Sequence, residues 1–275
     1  MTKQTRAVFF DVDFTLIYPG PTFDAVGYKA FSRRHGLRVD TGRFESAVIT
    51  ASRELDVGED ASYRAELFVR YARRVLEEMG GTGPGIDACA REIYEEWAVC
   101  RHFSLYDDVK PALRQLHERG LRLGLISNTH RCLNAFQSHF DLDMFIAGAV
   151  SSSDHGFMKP HPSIFEAALL EVGVSADEAL MVGDSISHDV DGALRLGMQA
   201  VLLARSGQTD APVEVVVWTN EEGSRFAPSM IGSGAFAGVF DLEESLAITD
   251  RDGNSMDGEL NRIGYKGEGC GGRPA

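Results

Sequence analysis

Four consecutive apolar residues, Ala7-Val-Phe-Phe10, are long enough for a buried strand and too short for a helix. Past the turn cluster Tyr18-Pro-Gly-Pro21 the period changes. From about Phe23 to Arg101 apolar positions recur at three- and four-residue spacing, as at Phe23, Val26 and Ala30 with Phe31, then Leu67, Tyr71 and Val75 with Leu76. Gly36, Gly58 and the cluster from Gly80 to Gly85 punctuate this helical stretch. From Tyr106 the pattern changes again. Pro111 to Gly120 reads as an amphipathic helix closed by glycine, and Leu121 to Ile126 as a buried strand. Strand-like runs return at Phe145–Val150, Ala179–Val182 and Ala200–Leu203, with helices at Ser163–Val172 and His188–Leu196. Strands alternating with helices predict a parallel sheet with right-handed crossovers. The fold class is therefore α/β. A Rossmann-like core comes from residues 1–17 and 105–211, interrupted by an all-helical insert at 18–104. The last stretch, 212–275, holds eleven of the 29 glycines and drops the α/β rhythm.

The chain has 275 residues and a formal net charge of −14. That charge speaks against nucleic acid and anionic membranes as partners, since both need a basic face. It leaves phosphorylated substrates open, because a bound divalent metal reverses the local sign. The N-terminus runs into the first strand without an apolar signal region, and no stretch approaches the roughly 20 apolar residues of a spanning helix. Cys89, Cys100, Cys132 and Cys270 lack Cys-x-x-Cys spacing, which points away from zinc and from a disulfide framework. A cytoplasmic protein is expected; its oligomeric state is left open.

The chemistry gathers where predicted strands end. Asp11 and Asp13 follow the first strand at alternate positions, so both can face one pocket, with Thr15 beside them. Two close carboxylates need a cation or a shared proton. The strand ending at Ile126 delivers Ser127, Asn128 and Thr129; Lys159 lies in a loop before a helix; Asp184 follows another strand, with Asp189 five residues on. Taken singly, each has an ordinary reading: a turn with helix caps, turn formers, a solvated lysine, a helix N-cap. Together, at one sheet edge, they make an oxygen-ligand site suited to Mg²⁺ beside an anion pocket.

These four segments, Asp11-Val-Asp-Phe-Thr15, Ser127-Asn128, Lys159-Pro160 and Gly183-Asp-Ser-Ile-Ser-His-Asp189, stand in the order of the motifs of the haloacid dehalogenase-like hydrolase superfamily, which residues 1 to about 207 resemble. The insert resembles the helical cap of one of its subgroups. The resemblance implies that Asp11 is the nucleophile, forming an aspartyl-phosphate, and that Asp13 is the acid and base. It further implies that Ser127 and Lys159 are catalytic and, with Thr15 and Asn128, bind phosphate. Mg²⁺ would be held by Asp11, Asp13 through its backbone carbonyl, Asp184 and Asp189. The presence of Asp13 favours a phosphatase over a dehalogenase. Phe14 stands where glycine is most common and narrows the room beside the nucleophile. Lys29, the only lysine of the insert, carries no sign of the Schiff-base role found in phosphonate-cleaving relatives. The insert holds ten arginines between Arg33 and Arg91, most of which belong on solvated helix faces, leaving one or two candidates to meet an anionic substrate.

Val213 to Gly267 resembles a stretch of the amidohydrolases that include N-carbamoyl-amino-acid hydrolases and allantoate amidohydrolases. There the position of Glu221 is the general base and that of Glu222 a metal ligand. No His-x-Asp pair precedes it, and a lone Glu-Glu pair does not build a two-metal site. The segment is expected to be a poorly ordered fusion remnant or a sequence artefact without amidohydrolase activity, with Val213–Thr219 either adding an edge strand or loosely attached. The reading as a whole is a Mg²⁺-dependent phosphatase of a small phosphorylated metabolite. A phosphomutase is the runner-up, and a catalytically impaired fusion remnant the alternative of another class.

Overall fold

The computed structural model describes residues 4–55, 61–205, 241–251 and 253–262. The chain divides into two compact units, Met1–Val215 and Val216–Ala275.

In the first unit, β1 (Ala7–Phe10) is the middle strand of a five-stranded parallel sheet. Its neighbours are β4 (Arg122–Ser127) and β6 (Ala179–Gly183), with β5 (Ile146–Ser151) and β7 (Gln199–Leu202) outside them. The observed strands lie within one residue of the apolar runs that predict them, and in β1 and β4 burial on both faces makes the run continuous. Alternation divides β1 between two cores. Val8 and Phe10 join a cluster with Leu123, Leu125 and Phe136, whereas Ala7 and Phe9 pack with Ile164, Phe165 and Met181 on the other face. Helix α5 (Val109–Glu118) and α6 (Leu133–His139) precede and follow β4; α7 (Ser152–His155) and α8 (Pro162–Val172) follow β5.

The insert holds α1 (Ala25–Arg34), α2 (Phe44–Ala51), α3 (Ala65–Glu78) and α4 (Ile86–Trp97). Helix α1 starts on Asp24, whose carboxylate accepts from Val26 N at 2.7 Å and Gly27 N at 2.9 Å. The turn cluster at Tyr18–Pro21 is partly strand: β2 (Ile17–Pro19) pairs antiparallel with β3 (Phe103–Leu105), so the chain enters and leaves the insert through one ladder.

The helix expected at His188–Leu196 differs. Ile186–Val190 is a π-helical turn, and α9 is confined to Asp191–Arg195. The amides of Asp189 and Val190 both donate to Ser185 O, at 2.9 and 3.2 Å, which widens the turn and swings Asp189 back toward Gly183.

In the second unit, the described residues form two short helices, Leu242–Ala247 and Met256–Arg262. The expected edge strand at Val213–Thr219 and the pair Glu221–Glu222 lie outside the described residues. Among the described residues, no helix is long and apolar enough to cross a membrane.

Candidate active site

The carboxyl ends of β1, β4 and β6 meet at one edge of the sheet. Phe10 pairs with Leu125 on one side and Val182 on the other, which brings Asp11, Ser127 and Asp184 together just beyond the ladders. Asp11 N donates to Val182 O at 2.9 Å, fixing the exit of β1 on β6.

Lys159 is the hub. Its Nζ, 2% exposed, donates to Asp11 Oδ1 at 2.5 Å and to Asp189 Oδ1 at 2.6 Å. The other oxygen of Asp189 accepts from Ser185 N at 3.0 Å. Gly183 makes room for this carboxylate, since a Cβ there would lie 2.2 Å from Asp189 Oδ2. The loop carrying Lys159 is clipped to β4 by Asn128: Lys159 N donates to Asn128 Oδ1 at 2.7 Å, and Asn128 Nδ2 donates to Lys159 O at 3.0 Å. Asn128, expected at the phosphate, thus uses its amide to hold the lysine loop. The Lys159–Pro160 peptide is cis.

Asp11, Asp184 and Asp189 each offer a carboxylate oxygen, all within 4.8 Å of one another. Desolvation pushes Asp11 up to about 8; Lys159 opposes it, and Asp189 and Asp184 add to it. Asp184 stands exposed at the rim and is raised to about 6, first by partial desolvation and then by Asp189. Burial would lower Lys159, but Asp11 and Asp189 outweigh it and keep the ammonium charged. Asp11 and Asp189 share the lysine, and Asp184 adds a third carboxylate beside them. That donor set fits a hard divalent cation. Two buried hydroxyls nearby, Thr15 Oγ1 and Ser127 Oγ, have no hydrogen-bond partner among the described residues. Unpaired buried donors are costly, and these would be satisfied by anionic oxygens.

The carboxylate of Asp13 stands apart from this group. Arg131 donates to both of its oxygens, from two guanidinium nitrogens at 3.1 Å each. The same guanidinium donates to Trp97 O at 2.8 Å and lies 4.4 Å over the Phe103 ring. Arg131 therefore ties Asp13 to the end of α4.

A family model for haloacid dehalogenase-like hydrolases matches residues 5–197. The chain belongs to that family. This haloacid dehalogenase-like hydrolase is 31% identical over 217 residues to the glyceraldehyde 3-phosphate phosphatase of Methanopyrus kandleri, a match covering 74% of this chain and 86% of that protein. Its fold is that of a haloacid dehalogenase-like phosphatase from Thermococcus onnurineus, 24% identical, with a TM-score of 0.51 over 76% of this chain and 91% of that one. The expected enzyme class, a hydrolase of the phosphatase kind, is borne out. A separate similarity, 52% over 61 residues, links 22% of the chain to 15% of the N-carbamoyl-L-amino-acid amidohydrolase of Rhizobium meliloti. The resemblance of the C-terminal stretch to that family is thus a match to a small part of the enzyme.

One feature of the hydrolase's site escapes the linear sequence, and another is only half legible in it. Arg131 sits among residues that read as a loop, and its partner is 118 positions away. Phe14, at φ 62°, occupies the left-handed backbone region, which is why glycine suits that position. The signal was the departure from glycine itself.

Proposed function

We propose that this hydrolase is a Mg²⁺-dependent phosphatase of a small phosphorylated metabolite, working through an aspartyl-phosphate on Asp11. One observation carries the reading: Lys159 holds Asp11 at 2.5 Å and Asp189 at 2.6 Å in a buried cluster where two hydroxyls lack partners among the described residues. In it, a nucleophile, charge neutralisation and oxyanion donors stand together, which phosphoryl transfer chiefly requires.

The donor chemistry fits Mg²⁺ bound by Asp11, Asp184, Asp189 and the Asp13 backbone carbonyl, where it would supply charge neutralisation for the phosphoryl oxygens. Asp11 attacks phosphorus and the ester oxygen departs, taking a proton from Asp13, whose carboxyl must first leave the Arg131 fork and gain that proton. Asp13 then removes a proton from water, which attacks the phosphorus and returns Asp11 as its carboxylate, releasing inorganic phosphate. Ser127 and Thr15 donate to the transferring group, and Lys159 steadies both it and the nucleophile. Asn128 serves by fixing the lysine loop. The insert of α1–α4 acts as the cap over this site, within the division 1–17 with 105–211 for the core and 18–104 for the cap.

Phosphate release from a phosphomonoester panel, with and without EDTA and with Asp11→Asn, tests the proposal. Activity dependent on Mg²⁺ and lost in Asp11→Asn is expected. Turnover surviving either treatment would overturn the mechanism, and net isomerisation without phosphate release would favour the mutase.

A further inference from the structure

Between the helical insert and the sheet edge lies a cavity of about 210 Å³ that begins at Asp13 and Asn128 and runs up into the insert. Its upper wall is apolar: Tyr28, Phe68, Tyr71, Ile93, Tyr94 and Trp97 line it, with aliphatic side chains between them. No lysine or arginine is among the lining residues. All eleven arginines of the insert are exposed and none lines the cavity, contrary to the sequence expectation that one or two of those between Arg33 and Arg91 meet an anionic substrate. Arg131, the one buried guanidinium close by, is already engaged by Asp13 and Trp97 O. Beside the imidazole of His188 at the rim and that of His130, which burial holds toward its neutral form, further polar groups of the wall are engaged. Asn128 is spent on Lys159, Tyr94 shares a hydrogen bond with Tyr63 at 2.6 Å, and His130 stacks on Tyr94 at 3.9 Å.

Phe14 adds an independent observation. It keeps a large side chain at a φ of 62°, where such residues are uncommon, and its ring is 45% exposed at the cavity, 6.3 Å from that of Trp97. An apolar ring held open to the cavity in an unfavourable backbone region extends the aromatic wall down to the nucleophile.

We infer that this cavity selects phosphomonoesters whose alcohol is apolar and uncharged, about the size of one aromatic ring with a short chain. The inference rests on the phosphatase reading of the Asp11 site. A cavity of roughly 150 Å³ lined by aliphatic and aromatic groups accommodates benzene, so 210 Å³ leaves room for a ring and a linking chain. A second carboxylate or phosphate on the substrate would be buried here without a lysine or arginine to meet it. A quaternary ammonium would meet aromatic faces, yet the wall alternates them with Leu67, Ala72, Ile93 and Met158 instead of closing a ring cage.

The test compares primary-alcohol esters, so that leaving-group chemistry is matched: 2-phenylethyl phosphate against glycerol 1-phosphate, phosphoserine and phosphocholine. Apolar pockets discriminate by about 10- to 200-fold per methylene, so kcat/KM for the phenylethyl ester should exceed the others at least about 100-fold. Phe68→Arg should reverse the order for phosphoserine while leaving Mg²⁺ dependence intact, and Asp11→Asn should abolish all turnover. Equal rates, or preference for a charged ester or phosphocholine, would overturn the inference and leave the phosphatase standing. Turnover of none of the four, or of any that survives Asp11→Asn, would remove the phosphatase reading and the inference with it.

Discussion

Replacing Arg131 by methionine removes the fork on Asp13, the bond to Trp97 O and the contact over Phe103, while methionine refills part of the volume. Breaking a buried ion pair from one side costs about 3–5 kcal/mol, because the remaining charge is left uncompensated. Here the Asp13 side chain is 17% exposed on a cavity wall, so water reaches it and the lower end applies. Losing the donor to Trp97 O adds about 1 kcal/mol and the cation–π contact about 1 kcal/mol more, against which the thioether recovers roughly as much by apolar contact. The net expectation is about 3 kcal/mol. For a unit of this size, that corresponds to a fall in Tm of roughly 6–12 °C, read by circular dichroism at fixed protein concentration. The double variant with Asp13→Asn closes a cycle: once Asp13 is neutral, Arg131→Met should cost at least about 1 kcal/mol less. A single-variant loss below about 1 kcal/mol, or strict additivity in the cycle, would refute the claim that this pair anchors α4 to the sheet edge.

Gly183→Ala should displace Asp189, whose Oδ2 would lie 2.2 Å from the new Cβ, costing about 1–3 kcal/mol and weakening Mg²⁺ at least about tenfold by calorimetry; unchanged affinity would count against Asp189 as a ligand. Asp11 is pushed up to about 8 and Asp184 to about 6, so both hold protons that a metal must displace. Mg²⁺ affinity should therefore rise from pH 5 to 8, up to about tenfold per unit for each proton released, and level off above; a flat profile would contradict the raised carboxyls. A chain ending at Val215, the limit of the first compact unit, should hydrolyse phosphomonoesters within about twofold of the full chain. A severalfold drop at equal folded fraction would show that the C-terminal unit supports the site.

The strand ends were legible because their signal is local. Ala7–Phe10 is apolar without interruption, and the carboxylates that follow it need no long-range knowledge to be placed at a sheet edge. What resisted was pairwise. Arg131 and Asn128 read as loop residues, and their roles emerge only against Asp13 and Lys159, 118 and 31 positions away. Ser185–Asp189 resembles the start of a helix, yet the carboxylate is drawn back toward Gly183 and Lys159, and the turn widens to a π geometry that no periodicity encodes. The arginines of the insert follow helical periodicity onto solvent faces; composition alone counts their charge and not its direction.

The ladder of β2 and β3 pairs Ile17 with Leu105, Tyr18 with Ser104 and Pro19 with Phe103. The insert is held to the core by this ladder, by Arg131 between Asp13 and Trp97 O, and by the bonds of Tyr63 N to Gly156 O and Met158 N to Ala61 O. Entry and exit lie side by side in the ladder, so the length of the insert does not set the path of β1 or β4. On the proposed reading selectivity is shared, the insert supplying the upper wall of the cavity and Asp13 and Phe14 of the core its floor.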